Sequence, residues 1–199
     1  MENVLLWDRR IFLSINNGWQ NPVLDILMPY FTLLGEIWVM AIFIVPILYF
    51  HDKKNFYRHL ALFAGALILT GLIGRIIKYL LDRPRPLKEM ASLIQAHQIY
   101  IHVLGKELRE YSFPSGHTLS AFSAASYLSL VLKRWSPLFF SMALLTGLSR
   151  IYVGAHFPLD VLGGMLIGIG VTIPFCLFAD KFVFKALFRR YSPFPNKGI

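Results

Sequence analysis

Ser149-Arg150-Ile151-Tyr152-Val153-Gly154-Ala155-His156-Phe157-Pro158-Leu159-Asp160 leads directly into residues 161–179, a run without a single charge. A bilayer core of about 30 Å takes roughly 20 helical residues to cross, so the run reads as a membrane helix. The polar segment before it sets a guanidinium, an imidazole and a carboxylate at that helix's mouth. Asp160 follows His156 by four, the spacing that brings side chains together on one helical face. A carboxylate bound to one ring nitrogen fixes the tautomer and frees the other nitrogen to attack. An isolated His and Asp four apart make an ordinary structural pair just as well, so the reading depends on what else shares that side of the membrane.

Outward from this segment, four more apolar stretches appear near residues 24–50, 59–81, 115–132 and 136–153, and the first run extends over 159–180. The expected architecture is all-α: an integral membrane bundle of about five spans in one domain covering residues 1–199. Composition agrees, since the 199 residues are 56 % hydrophobic and only 16 % charged, too apolar for an ordinary soluble domain. Strictly uncharged stretches are short because Lys78, His117 and Arg150 sit just inside span ends, where ionisable groups line functional cavities. Cys176 stands alone and forms neither an internal disulfide nor a multi-cysteine metal site; lipid contact or core filling is expected of it.

Glu2 and Asp8-Arg9-Arg10 break up the amino-terminal apolar stretch, unlike a cleaved leader. Val4, Trp7, Ile11 and Ile15 recur at helical spacing opposite Asp8, Arg9 and Asn16, which predicts an interfacial helix over residues 1–18. Five spans then place the amino terminus, a polar loop over 82–113 and the His156 turn on one side. The other side carries ten basic residues (Lys53, Lys54, Arg58, Lys133, Arg134, Lys181, Lys185, Arg189, Arg190, Lys197) against seven (Arg9, Arg10, Arg83, Arg85, Lys88, Lys106, Arg109). The positive-inside rule puts the carboxyl terminus, with a flexible tail over 190–199, in the cytoplasm, and the loop and motifs on the extracytoplasmic face of the inner, or plasma, membrane. A net charge of +9 suits anionic lipid headgroups; nucleic acid is disfavoured because the cations are spread over two faces.

Two further clusters share the proposed face. Lys78 closes the second span and Arg85 follows in Asp82-Arg83-Pro84-Arg85-Pro86, a proline-stiffened run that cannot continue the helix. A planar guanidinium holds two phosphate oxygens at once, and an ammonium adds a compact charge beside it. Basic residues after an apolar helix also serve as topology signals, so this cluster alone decides little. Pro114-Ser115-Gly116-His117 opens the third span, with Ser115 expected as its cap. The amides of Gly116 and His117 would face an anion, Gly116 leaving room for its approach. Between the clusters, Met90, Ile94, Ile101, Leu104 and Leu108 form a ragged helical stripe, yet residues 99–103 alternate like a strand. His97 and His102 there read as loop histidines outside the site.

Taken together, Lys78-x6-Arg85-Pro86, Pro114-Ser115-Gly116-His117 and Ser149-Arg150-x5-His156-x3-Asp160 resemble the signature of the type 2 phosphatidic acid phosphatase family, whose phosphate site is similar to that of vanadium-dependent haloperoxidases. The resemblance implies a metal-independent lipid phosphatase without a cofactor. His156 would be the nucleophile forming a phosphohistidine, His117 the general acid and Asp160 the group orienting His156. Lys78, Arg85, Ser115, Gly116 and Arg150 would bind phosphate. The family often has six spans, one more than is read here. The expected substrate is a phospholipid or polyprenyl (pyro)phosphate, foremost undecaprenyl pyrophosphate; phosphatidylglycerophosphate, phosphatidic acid and lipid A 1-phosphate are the alternatives. A transporter, the competing class, should show an internal repeat, and none is visible. The sequence sets no oligomeric state.

Overall fold

The computed structural model describes residues 2–184, and among these every regular element is helical. An amino-terminal helix α1 (Glu2–Gly18) precedes α2 (Pro22–Leu33) and α3 (Ile37–His51). A long α4 (Phe56–Leu81) leads to two short pieces, α5 (Pro86–Glu89) and α6 (Ala91–Gln95). The bundle is completed by α7 (Gly116–Val131), α8 (Ser136–Tyr152) and α9 (Pro158–Phe178), which widens into a π-helical turn at Ala179–Phe184. The tail expected over 190–199 lies outside the described residues.

Local chemistry sets the boundaries. Asn21 accepts from the amides of Val23 and Leu24 at 3.1 and 3.0 Å, with Pro22 at the first helical position, so α2 starts there. At the end of α4, Asp82 turns left-handed (φ 38°) and the proline-flanked run prevents continuation.

Helix α7 is the axis of the bundle, packed among α4, α8 and α9, and every residue from Thr118 through Leu128 is buried. Backbone-to-backbone packing with α9 is possible because two positions of α9 lack a side chain. A Cβ on Gly164 would lie 2.6 Å from the Ser115 carbonyl oxygen, and one on Gly168 2.7 Å from that of Leu119. A Ser123–Thr172 hydroxyl pair at 2.7 Å ties the same two helices. Apolar side chains point outward from the bundle at Ile42, Phe43, Ile68, Ile76 and Leu166, as lipid-facing surfaces require.

Helices α4 and α9 are each long and apolar enough to cross a membrane. The segment read as one span over 24–50 is instead α2 and α3, bent by 69° at a short break containing Gly35 and Glu36. Counted as one, this pair makes a third span; α7 and α8, at 16 and 17 residues, are shorter. Residues 2–18 form the helix α1, and the structure adds its orientation. Its polar residues Asp8 and Asn16 are the buried ones, while Val4, Trp7 and Ile11 face outward. A membrane permits this orientation, because lipid accepts the apolar face and the protein supplies partners for the polar one. The 82–113 segment resolves into α5, α6 and an irregular stretch: Ile99 and Ile101 pack on the core, so the alternation is real, but no second strand pairs with it. Cys176 is core, fully buried beside Tyr127 and Leu62.

Candidate active site

The turn between α8 and α9 holds His156 by its backbone, its amide donating to the Arg150 carbonyl at 3.1 Å. The ring is 1 % exposed. Arg85, at the start of α5, reaches it from the other side of the bundle, with Nη1 3.1 Å from Nε2 of His156 and 3.0 Å from the Ala155 carbonyl. A guanidinium only donates, so Nε2 presents its lone pair and the ring proton sits on Nδ1. Burial, together with the cations Arg85, Arg150 and Lys78, holds this imidazole well below its ordinary pKa. A neutral ring with an unprotonated Nε2 has the chemical form a nucleophilic imidazole needs.

Asp160 lies 3.5 Å from Nδ1 of His156, at the outer limit of a hydrogen bond. Its nearer partners are the amide of Phe157 at 2.9 Å, the hydroxyl of Ser112 and the guanidinium of Arg83 at 2.7 Å. Ser112 also stands 3.5 Å from Nδ1. Arg83 continues to Asp8 of α1 at 2.6 Å and covers the ring of Phe157 at 4.5 Å. Asp8 accepts from the Leu159 amide at 2.8 Å, so α1 caps the start of α9. Burial raises the Asp8 pKa against these partners.

The second cluster meets the first where α7 begins. The Ser115 amide donates to the Asp160 carbonyl at 2.9 Å, joining the two motifs directly. Ser115 occupies the cap position, but its hydroxyl accepts from Thr118 Oγ1 at 2.9 Å and makes no capping bond. At Gly116 a Cβ would meet nothing within 4 Å, so the space before the helix amides is open. His117 bonds through Nε2 to Glu36 at 2.9 Å. Glu36 reaches it because the α2–α3 break presses against α7: a Cβ on Gly35 would fall 2.6 Å from that of His117, and Ser120 donates to the Gly35 carbonyl at 2.6 Å.

Two of the cations differ in their ties. Lys78 Nζ donates to the Tyr111 carbonyl at 2.7 Å. Arg150, 6 % exposed, has no hydrogen-bond partner for its buried Nε. A buried guanidinium donor of this kind is open to an anion or to water. Lys78, Glu36, Gly116 and His117 line a cleft of about 430 Å³ between α3, α4 and the start of α7. Ile37, Leu67, Gly71 and Leu119 give it apolar lining as well. Among the described residues no three His, Cys, Asp or Glu side chains gather as a metal site would need.

The structure therefore gathers the eight residues singled out from the sequence at one end of the bundle. Arg83, Ser112, Glu36 and Asp8 are additions. Of these, Glu36 had a legible signal, an ionisable residue inside an apolar stretch. Residues 59–184 match the PAP2 superfamily. This chain belongs to it. An undecaprenyl-diphosphatase of Bacillus subtilis is 35 % identical over 178 residues, covering 85 % of this chain and 83 % of the relative. A lipid A 4'-phosphatase of Porphyromonas gingivalis is 30 % identical over 176 residues, covering 85 % and 71 %. The crystal structure of a transmembrane PAP2 type phosphatidylglycerolphosphate phosphatase from Bacillus subtilis matches with a TM-score of 0.65 at 26 % identity, covering 92 % of this chain and 89 % of that one. As a PAP2 member the chain is a phosphatase in a membrane helical bundle, and its relatives' names carry three different lipid substrates.

Proposed function

We propose that this chain removes a terminal phosphate from a lipid (pyro)phosphate through a phosphohistidine on His156. The observation that carries this reading is the Nε2 lone pair of His156, buried and faced by Arg85 with Arg150 and Lys78 nearby. In-line attack forms the Nε2–P bond and breaks the bond to the leaving oxygen, which takes a proton from His117. Charge on the equatorial oxygens is met by Lys78, Arg85 and Arg150 with the Gly116 amide and Ser115 at the helix start. Asp160, held by Ser112, Arg83 and the Phe157 amide, keeps the imidazole in its tautomer, and Glu36 fixes the ring of His117. Water activated by His117 then hydrolyses the phosphohistidine and releases inorganic phosphate.

The cleft supports a lipid substrate, since the cations Lys78 and Arg75 and the apolar Ile37, Leu67 and Leu119 line it together. Undecaprenyl diphosphate is the favoured substrate, in keeping with the 35 % identical relative; a phospholipid or lipid A monophosphate is the second reading, favoured by the other two relatives. The site faces the extracytoplasmic side of the plasma membrane in this proposal, because Lys53, Lys54, Lys133, Arg134 and Lys181 gather away from it.

Phosphate release by the purified chain in detergent, across lipid mono- and diphosphates, is the direct test. His156→Ala is expected to abolish turnover on every substrate; retained activity overturns the covalent route. Vanadate, which adopts the five-coordinate shape of the transition state, is expected to inhibit. Three cations supply the charge that a metal pair would otherwise bring, so activity is expected to survive EDTA.

A further inference from the structure

Arg75 belongs to none of the three clusters, yet it lines the same cleft as Lys78, His117 and Glu36. It precedes Lys78 by three on α4, so the two cations lie on one helical face with Cβ atoms about 5–6 Å apart. Three residues of helix set it about 4.5 Å further from the Lys78 end of α4, toward the apolar part of the cleft. Along α4 the lining of the cleft runs from Lys78 through Arg75 and Gly71 to Leu67, so apolar positions follow Arg75 away from the Lys78 end. The only carboxylate lining the cleft among the described residues is Glu36, already bonded to His117. Arg75 itself is exposed, and among the described residues no hydrogen bond or ion pair ties it to the protein. A cation inside an apolar segment, open to a cleft and without a protein partner, is placed for an anion on the ligand.

We propose that Arg75 binds the lipid-side phosphate of a diphosphate substrate and so selects diphosphates over phosphomonoesters. The inference rests on the reading of the site given above. With the terminal phosphate among Lys78, Arg85 and Arg150, the leaving group points past His117 into the cleft. In a diphosphate that leaving group is a lipid monophosphate. The His156 Nε2–P bond forms, the bond from the terminal phosphorus to the bridging oxygen breaks, and that oxygen departs with the lipid-side phosphate, protonated by His117. Its negative charge arises where Arg75 stands, whereas the alcohol released from a phosphomonoester brings no such charge. The lipid chain then continues over Gly71 and Leu67.

The test is the ratio of kcat/KM for undecaprenyl diphosphate to that for dioleoyl phosphatidic acid, measured on the full chain in detergent. Because it is a ratio, loss of folded protein cancels. Arg75→Gln is expected to lower it by about 10- to 100-fold, the worth of one charge-assisted hydrogen bond. Arg75→Lys is expected to keep part of it, since the charge remains but the fork is lost. A ratio unchanged or raised in Arg75→Gln overturns the inference, and so does a wild-type chain that turns over no diphosphate. His156→Ala separates the two levels. If it is inactive on both substrates while the ratio holds in Arg75→Gln, only the role of Arg75 falls; if it stays active, the reading of the site falls.

Discussion

Arg58 and Arg150 are buried almost equally, 8 % and 6 % exposed, at opposite ends of the bundle, but they live in opposite electrostatic circumstances. Arg58 is paired with Asp180 beside α9, in a region where His59 and Tyr127 are also hydrogen-bonded at 2.8 Å. Among the described residues Arg150 meets no carboxylate within ion-pair distance; Arg85 and Lys78 lie near it, with Glu36 the carboxylate acting at longer range. The first arrangement holds helices together. The second keeps positive charge in a low-dielectric place, which is costly without an anion and strong with one. The same contrast recurs within a single short run, where Arg83 is tied to Asp160 and Asp8 while Arg85 contacts only carbonyls and His156.

The contrast breaks most visibly at Arg58. Arg58→Met strands Asp180 as a buried carboxylate and is expected to cost about 3–5 kcal/mol, read as a fall in thermal midpoint, with turnover per folded molecule kept. Arg150→Met is expected to do the reverse. Its kcat/KM should drop by about 100- to 1,000-fold, as when one preorganised donor to a transition state is removed, while the thermal midpoint does not fall. A parallel loss of stability in both variants would erase the distinction between the two ends.

Smaller effects sharpen the picture. Gly35→Ala places a methyl group against His117, so kcat is expected to fall by up to about 100-fold through misplacement of that ring, with His156 chemistry on activated leaving groups less affected. The pH dependence is the subtlest. His156 must be neutral to attack, and its pKa lies well below 6.5, so kcat/KM is expected to hold as pH falls past 6.5 and drop only at lower pH. Removing the adjacent cation with Arg85→Gln eases protonation of the ring and should move that acid limb upward, by up to about one unit.

Much of the site was legible because charged residues at the ends of apolar runs have few reasons to be there. His156, His117, Lys78, Arg85 and Arg150 are all of this kind. The division of labour between Arg83 and Arg85 was not, since it is decided by Asp8, 75 residues away from Arg83. Glu36 escaped for a related reason. Hydropathy alone joins α2 and α3 into one stretch, and only the packing of Gly35 on His117 makes a sharp bend there profitable. The helical period of α1 was readable, its orientation was not, because in a bilayer periodicity does not say which face meets protein. Ser115 lost its expected cap bond to Thr118, one turn along in the buried axis of the bundle.

Arg83 joins Asp8 to Asp160, and Asp8 in turn grips the amide of Leu159. During synthesis the first of these groups leaves the ribosome long before the last, so the catalytic end cannot be assembled piecemeal as the chain is inserted. Polypeptides halted ahead of the final helix carry His156 and the cations around it but lack Asp160 and the Leu159 amide, so the clasp that holds the imidazole's surroundings cannot close.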